Sequence, residues 1–134
     1  MIINVGHVGV AVRNLRDSTR LFERLLGKKP DHEETVGDQR VTAVMFRIGN
    51  SAVELIEPTD PDSSVSRFID RRGEAVHHIS LEVDDIESEL SRIRQAGFQL
   101  IDERPRRGSQ DTLVAFIHPK STNGILVELV QRRR

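Results

Sequence analysis

Two histidines and two glutamates, His7, Glu54, His78 and Glu128, have the types and spacing to hold a metal ion. Glu54 follows His7 by 47 residues and Glu128 follows His78 by 50. Each histidine opens a β-prone segment, His7-Val8-Gly9-Val10-Ala11-Val12 in one case and His78-Ile79-Ser80-Leu81-Glu82-Val83 in the other. Each glutamate interrupts an apolar strand: Val53, Leu55 and Ile56 flank Glu54, and Val127, Leu129 and Val130 flank Glu128. A strand carboxylate costs little if it faces water, but several kcal/mol if it faces a core unpaired. A shared cation removes that penalty. Two imidazole nitrogens and two carboxylate oxygens suit a borderline divalent ion such as cobalt, nickel, zinc or manganese. Four such ligands leave two octahedral positions for substrate oxygens or water. A single strand glutamate most often faces solvent and a single strand histidine is most often just hydrogen-bonded. The recurrence of both at matched positions singles out this set. His77 must point to the opposite face from His78, because side chains alternate along a strand.

The elements around these residues also repeat. After His7, Asn14 is placed to cap a helix with Leu15, Phe22, Leu25 and Leu26 as its apolar stripe and Gly27 at its end. After His78, Asp84 or Asp85 caps a helix carrying Ile86, Leu90 and Ile93, stopped by Gly97. Gly27 follows His7 by 20 residues and Gly97 follows His78 by 19, so the two copies keep step. Both copies then close with a hairpin. Val41 to Phe46 and Ala52 to Ile56 flank the Gly49-Asn50 turn, and Leu113 to Ile117 and Ile125 to Val130 flank a turn containing Asn123-Gly124. Val-Glu-Leu occurs at the same place in each. A connector from Pro58 to Glu74 holds a short helix, Ser64 to Arg72, with Val65, Phe68 and Ile69 on one side. The expected class is α+β: two βαβββ modules, about 1–57 and 75–134, within a single domain of residues 1–134.

Composition narrows the class further. A chain of 134 residues with 37% hydrophobic and 31% charged residues is globular and long enough for one ordinary core. No apolar run approaches the roughly 20 residues of a membrane helix, and Met1-Ile2-Ile3-Asn4 does not read as a secretory leader. Cysteine is absent, which excludes disulfides and thiolate chemistry and fits the cytoplasm. A formal net charge of −1, no Trp, no Tyr and five Phe argue against a nucleic-acid surface. The basic end, Arg132-Arg133-Arg134, is expected to be solvated.

Two βαβββ modules carrying a His/Glu/His/Glu set resemble the vicinal-oxygen-chelate (glyoxalase) superfamily, and within it the methylmalonyl-CoA epimerase family. The resemblance rests on His7-Val8-Gly9-Val10-Ala11-Val12, Glu54-Leu55-Ile56-Glu57-Pro58-Thr59, Gly73-Glu74-Ala75-Val76-His77-His78-Ile79, Glu82-Val83-Asp84-Asp85-Ile86, Phe116-Ile117-His118-Pro119-Lys120-Ser121 and Gly124-Ile125-Leu126-Val127-Glu128-Leu129. It spans nearly the whole chain. It implies a curved mixed sheet around one divalent metal, cobalt first, with zinc, nickel, manganese or magnesium as alternatives, and His7, Glu54, His78 and Glu128 as ligands. It also implies an acyl-CoA substrate, interconversion of the R and S epimers of methylmalonyl-CoA, and a homodimer. Glu128 matches the position that serves as both ligand and base. The chemistry is coherent: a thioester α-proton is weakly acidic, and positive charge near its carbonyl stabilises the enolate while a base and a conjugate acid move protons.

The chain departs from the family pattern in two places. Some members carry a second catalytic glutamate where this chain has Ala43, which leaves the second base unassigned. The loop before Phe116 reads Gly108-Ser109-Gln110-Asp111-Thr112, with Asp111 where glycine is common, and this leaves the acyl group open. Lys120, with Arg104, Arg106 and Arg107, is a candidate for coenzyme A phosphates, although a solvated face is the commoner role. Asp84-Asp85 reads as a cap, His118 as a hydrogen-bonding turn residue, and His32 and Gln39 carry no chemistry that the pattern supports. The rival readings are a glyoxalase I-type lactoylglutathione lyase with the same ligand set, and a metal-free ligand-binding member of the superfamily. An iron dioxygenase fits less well, since such relatives use two His and one Glu.

Overall fold

The computed structural model describes residues 1–132. Of the basic end predicted to be solvated, Arg132 is exposed but also pairs with Glu82, Nε to Oε2 at 3.4 Å, and positions 133 and 134 lie outside the described residues. The chain forms two compact units, one of Val8–His77 and one of Met1–His7 with His78 onward.

In the Val8–His77 unit, the second half of β1 (Ile2–Ala11) is followed by α1 (Leu15–Leu26), β2 (His32–Val36), β3 (Val41–Ile48), β4 (Ser51–Pro58) and α2 (Ser64–Arg72). The strand order is β2-β3-β4-β1, with β1 parallel to β4 and the other pairs antiparallel. Asn14 caps α1 by accepting from the Asp17 N–H at 3.0 Å, and Gly27 ends it at φ +70°. Leu15, Phe22 and Leu26 pack with Val44, Phe46 and Leu55. Leu25 does not: it is 71% exposed. At 100° per residue, Leu25 lies about 80° away from the line through Leu15, Phe22 and Leu26, so the predicted stripe was one residue too wide. The other sheet face is covered by α2, whose Val65 and Ile69 join Ala11, Val41, Ala43 and Ile56.

The second unit contains the start of β1, then β5 (Ala75–Val83), α3 (Ile86–Gln95), β6 (Arg106–Arg107), β7 (Thr112–Ile117) and β8 (Leu126–Arg132). Its order is β1-β5-β8-β7-β6, with β5 parallel to β8. Asp85 is the cap of α3, accepting from the Ser88 N–H, while Asp84 pairs with the Met1 ammonium. Val83, Ile86, Leu90, Ile93, Ala115, Ile117 and Leu129 form the core under α3. Each unit thus carries the βαβββ order expected from the sequence, and the class is α+β. Among the described residues, no helix is long and apolar enough to cross a membrane.

Candidate metal centre

Alternation along β5 and β8 divides their residues between two environments. Leu81, Val83, Val127 and Leu129 turn to the α3 core, and His78, Ser80 and Glu128 to the other face. The β5–β8 register sets Ser80 directly beside Glu128, and Phe116 of β7 lies on the far side of Glu128. His78, Ser80 and Glu128 are all nearly inaccessible to solvent.

His7 completes this group from β1. Its Nε2 lies 3.0 Å from Nε2 of His78, with the rings edge to face at 85°. The same His7 nitrogen is 3.5 Å from Oε1 of Glu128. The His7 nitrogen thus stands near one potential ligand atom on each of two other strands. A single Nε2–H on His7 cannot be donated fully to both neighbours, a conflict that a cation beside this nitrogen would relieve. Ligands bonded at about 2.1 Å stand about 3.0 Å apart at a right angle and about 3.4 Å apart at the tetrahedral angle. The observed separations match that spacing, and the mixed imidazole and carboxylate set suits a borderline divalent ion. His77 turns away from this group and packs edge-on against Phe68, with ring centroids 4.9 Å apart.

Glu54 belongs to the Val8–His77 unit. It is half-buried on β4, in register with Gly9 of β1 and Met45 of β3. Ala43 is buried against Ile56 and α2 and brings no titratable group.

The substrate-side candidates divide. Lys120 is exposed in a 3-10 turn (Pro119–Ser121), and its N–H donates to Nδ1 of His118 at 3.0 Å, the turn-stabilising role expected of that histidine. Arg106 is better placed than Lys120, Arg104 or Arg107. Its register opposite Val114 puts it on the Glu128 face, and its guanidinium lies 5.4 Å from the Phe116 ring centroid, with Asp102 at 3.4 Å from its Nε. In the loop before β7, Gln110 and Asp111 adopt φ of +55° and +57°. Asp111 thus takes the left-handed conformation that glycine commonly serves, which short polar side chains tolerate better than most.

Ser80, His32 and Glu34 were not singled out by sequence. Ser80 Oγ is buried without a hydrogen-bond partner among the described residues. Nε2 of His32 is 3.0 Å from Oε1 of Glu34. The only sequence signal for that pair is its two-residue spacing on a strand, and the residues that it faces follow only from the β2–β3 register.

Comparisons with known proteins agree with this architecture. The sequence signature described as the glyoxalase/bleomycin resistance protein/dioxygenase superfamily matches residues 6–116. An uncharacterized Bacillus subtilis protein, YqjC, is 38% identical over 95% of this chain and 91% of its own. The ethylmalonyl-CoA/methylmalonyl-CoA epimerase of Cereibacter sphaeroides is 32% identical over 98% of this chain and 99% of its own. A variant of Streptomyces coelicolor methylmalonyl-CoA epimerase, solved in complex with 2-nitronate-propionyl-CoA, superimposes with a TM-score of 0.94 at 31% identity, covering 98% of this chain and 96% of that one. By signature, near full-length similarity and fold, the chain belongs to the glyoxalase/bleomycin resistance protein/dioxygenase superfamily, on the side of its methylmalonyl-CoA epimerases.

Proposed function

We propose that this protein epimerises methylmalonyl-CoA, using a divalent ion, with cobalt as the first choice, held by His7, Glu54, His78 and Glu128. The observation that carries the metal site is the approach of His7 Nε2 to His78 Nε2 at 3.0 Å and to Glu128 Oε1 at 3.5 Å. The similarity to epimerases over nearly the full chain supports the reaction. Glu54 enters by its place in the repeat, as the counterpart of Glu128 on the last strand of the first module. When bound, the ion supplies positive charge opposite the thioester oxygen of a forming enolate.

The protein's own groups do the rest. Glu128 removes or returns the α-proton through a carboxylate oxygen, its position fixed by the β5–β8 ladder and by His7. The apolar ring of Phe116 and the buried surroundings of Glu128 keep bulk water from the reacting carbon. Arg106, stacked on Phe116, and Lys120 present positive charge to the acyl-CoA. A homodimer working in the cytoplasm completes the reading, supported by the family resemblance and the absence of cysteine.

The test is α-proton exchange. Cobalt-loaded protein in D2O is expected to wash deuterium into methylmalonyl-CoA and to racemise a single epimer. Glu128→Gln should lower both by about 10³-fold or more while keeping the fold. Activity confined to the methylglyoxal–glutathione hemithioacetal would replace this reading with the lactoylglutathione lyase one. Failure of the purified protein to take up any divalent ion would favour the metal-free binder.

A further inference from the structure

Ser80 carries a polar group that the fold itself does not use. Its Oγ is completely buried and has no hydrogen-bond partner among the described residues. Burying an unbonded hydroxyl weakens a fold, and an apolar residue avoids that cost. The same sheet face accepts one, since Val130, two residues beyond Glu128 on β8, is buried there. The neighbours of Ser80 all belong to the second unit. Along β5, His78 and Glu82 share its face. Glu82 accepts from Asn4 and pairs with Arg132, and His78 turns its Nε2 to His7. Across the ladder, in direct register, stands Glu128. On β1, Gly6 leaves the hydroxyl room to turn: even a Cβ added there would stay 3.5 Å from Oγ, an ordinary contact. Glu128 meets His7 through Oε1, at 3.5 Å. The last torsion of a glutamate side chain is broad and roughly two-fold, so a hold on one oxygen lets the carboxylate plane rock. An ionised carboxylate has about four lone-pair sites, so a second donor can fix that plane and still leave a site for a proton.

We propose that Ser80 is a positioning residue for Glu128: with substrate bound, its hydroxyl turns about χ1 and donates to Oε2 of Glu128, fixing the carboxylate plane for removal of the α-proton. Neighbouring strands stand about 4.8 Å apart, so a serine hydroxyl and a carboxylate on directly opposed residues can meet by side-chain rotation alone. A hydrogen bond to an ionised acceptor is the strong kind. In the step itself, Glu128 takes the α-proton on a lone pair that Ser80 does not occupy, and the C–H electron pair becomes the enolate. Ser80 keeps its own proton throughout, and being inaccessible it touches no substrate. Its contribution is the aim of the base. A misplacement of about 1 Å at a reacting group can cost 10²-fold in rate, so the effect belongs in kcat and not in KM.

This inference rests on Glu128 as the base of the epimerase reading, and the experiment separates the two. Cobalt-loaded holoprotein is followed by α-proton exchange of methylmalonyl-CoA in D2O, as wild type, Ser80→Ala, Ser80→Cys and Ser80→Thr. Cysteine keeps the shape of serine with a weak donor, and threonine keeps the hydroxyl. Ser80→Ala and Ser80→Cys are expected to lower kcat about 10-fold, with KM within about 2-fold of wild type and bound cobalt unchanged. Ser80→Thr should stay within about 3-fold of the wild-type kcat. A second readout needs no turnover. A crystal of the loaded wild type with 2-nitronate-propionyl-CoA, the ligand held by the Streptomyces coelicolor epimerase variant, should place Ser80 Oγ within hydrogen-bond distance of Glu128. Wild-type kcat in both Ser80→Ala and Ser80→Cys would overturn the proposal. So would a Ser80 hydroxyl bonded to another group in that crystal, or a fall in kcat matched by an equal fall in bound cobalt, the mark of a merely structural role. In each of those cases a wild type that exchanges and racemises leaves the epimerase reading standing. A wild type that does neither removes that reading, and this assignment with it.

Discussion

Ser80 stands directly across the β5–β8 ladder from Glu128, completely buried, and its hydroxyl has no hydrogen-bond partner among the described residues. The space beside it exists because β1 carries glycine there: a Cβ on Gly6 would lie 3.5 Å from Ser80 Oγ. An unmade hydrogen bond of this kind costs about 1–3 kcal/mol. Ser80→Ala is therefore expected to raise stability by about 1 kcal/mol in urea unfolding and to leave metal uptake intact. A variant less stable than wild type would mean that the hydroxyl is bonded in solution.

Metal loading should be visible in stability as well as in activity. A ligand that binds only the folded chain at about 100 times its Kd adds about 2.7 kcal/mol. Cobalt is expected to raise Tm by several degrees in the wild type and by little in His78→Ala. Elemental analysis of the same samples should find about one ion per wild-type chain and far less in the variant. Equal metal content in both would remove His78 from the ligand set.

Acid should loosen α3 through Glu89. This carboxylate is 5% exposed and accepts from Arg92 Nε and Nη2 at 3.1 and 2.8 Å. The Arg92 guanidinium, more than any other group, holds its pKa below the ordinary carboxylate value of 4.5. A lowered folded-state pKa means that the ionised form favours folding. Its contribution is complete above the unfolded value and is lost as pH falls through the folded one. The Tm of the wild type should therefore exceed that of Glu89→Gln at neutral pH, with the gap closing below about pH 4. A gap that stayed constant with pH would exclude this linkage.

The loop before β7 allows no side chain at Gly108. A Cβ there would lie 2.6 Å from Val114 Cγ1 and 2.7 Å from Thr112 Oγ1. Gly108→Ala should cost about 1–3 kcal/mol by overpacking. Because Val114 opposes Arg106, the damage should also raise the KM for acyl-CoA. An unchanged KM together with lost stability would separate Arg106 from the substrate.

Much of the fold was legible because helix and strand periods, caps and turns are local. Asn14, Gly27 and Ser64 to Arg72 each fell where the pattern put them. The repeat could align His7 with His78 and Glu54 with Glu128 because duplication preserves intervals. Leu25 was misassigned because an apolar stripe of about three turns blurs angular position. His32 was named but given no role, and Glu34 went unnoticed, for a different reason. Their meaning lies in which residues they oppose, Met45 and Ala43, and strand register is a long-range property that a single sequence does not print. Ser80 was similarly silent: a serine in a strand gives no sign of whether its hydroxyl finds a partner.

The parallel pairing of β5 with β8 has a consequence for the order in which the protein is built. A parallel neighbour cannot arrive by a tight turn, so β5 waits for everything between before its ladder closes. Glu128 rides on that late strand. During synthesis the imidazoles of His7 and His78 emerge well before the Glu128 carboxylate. A chain halted before β8 would keep both histidines and α3, yet it would lack Glu128 and the backbone ladder that positions it.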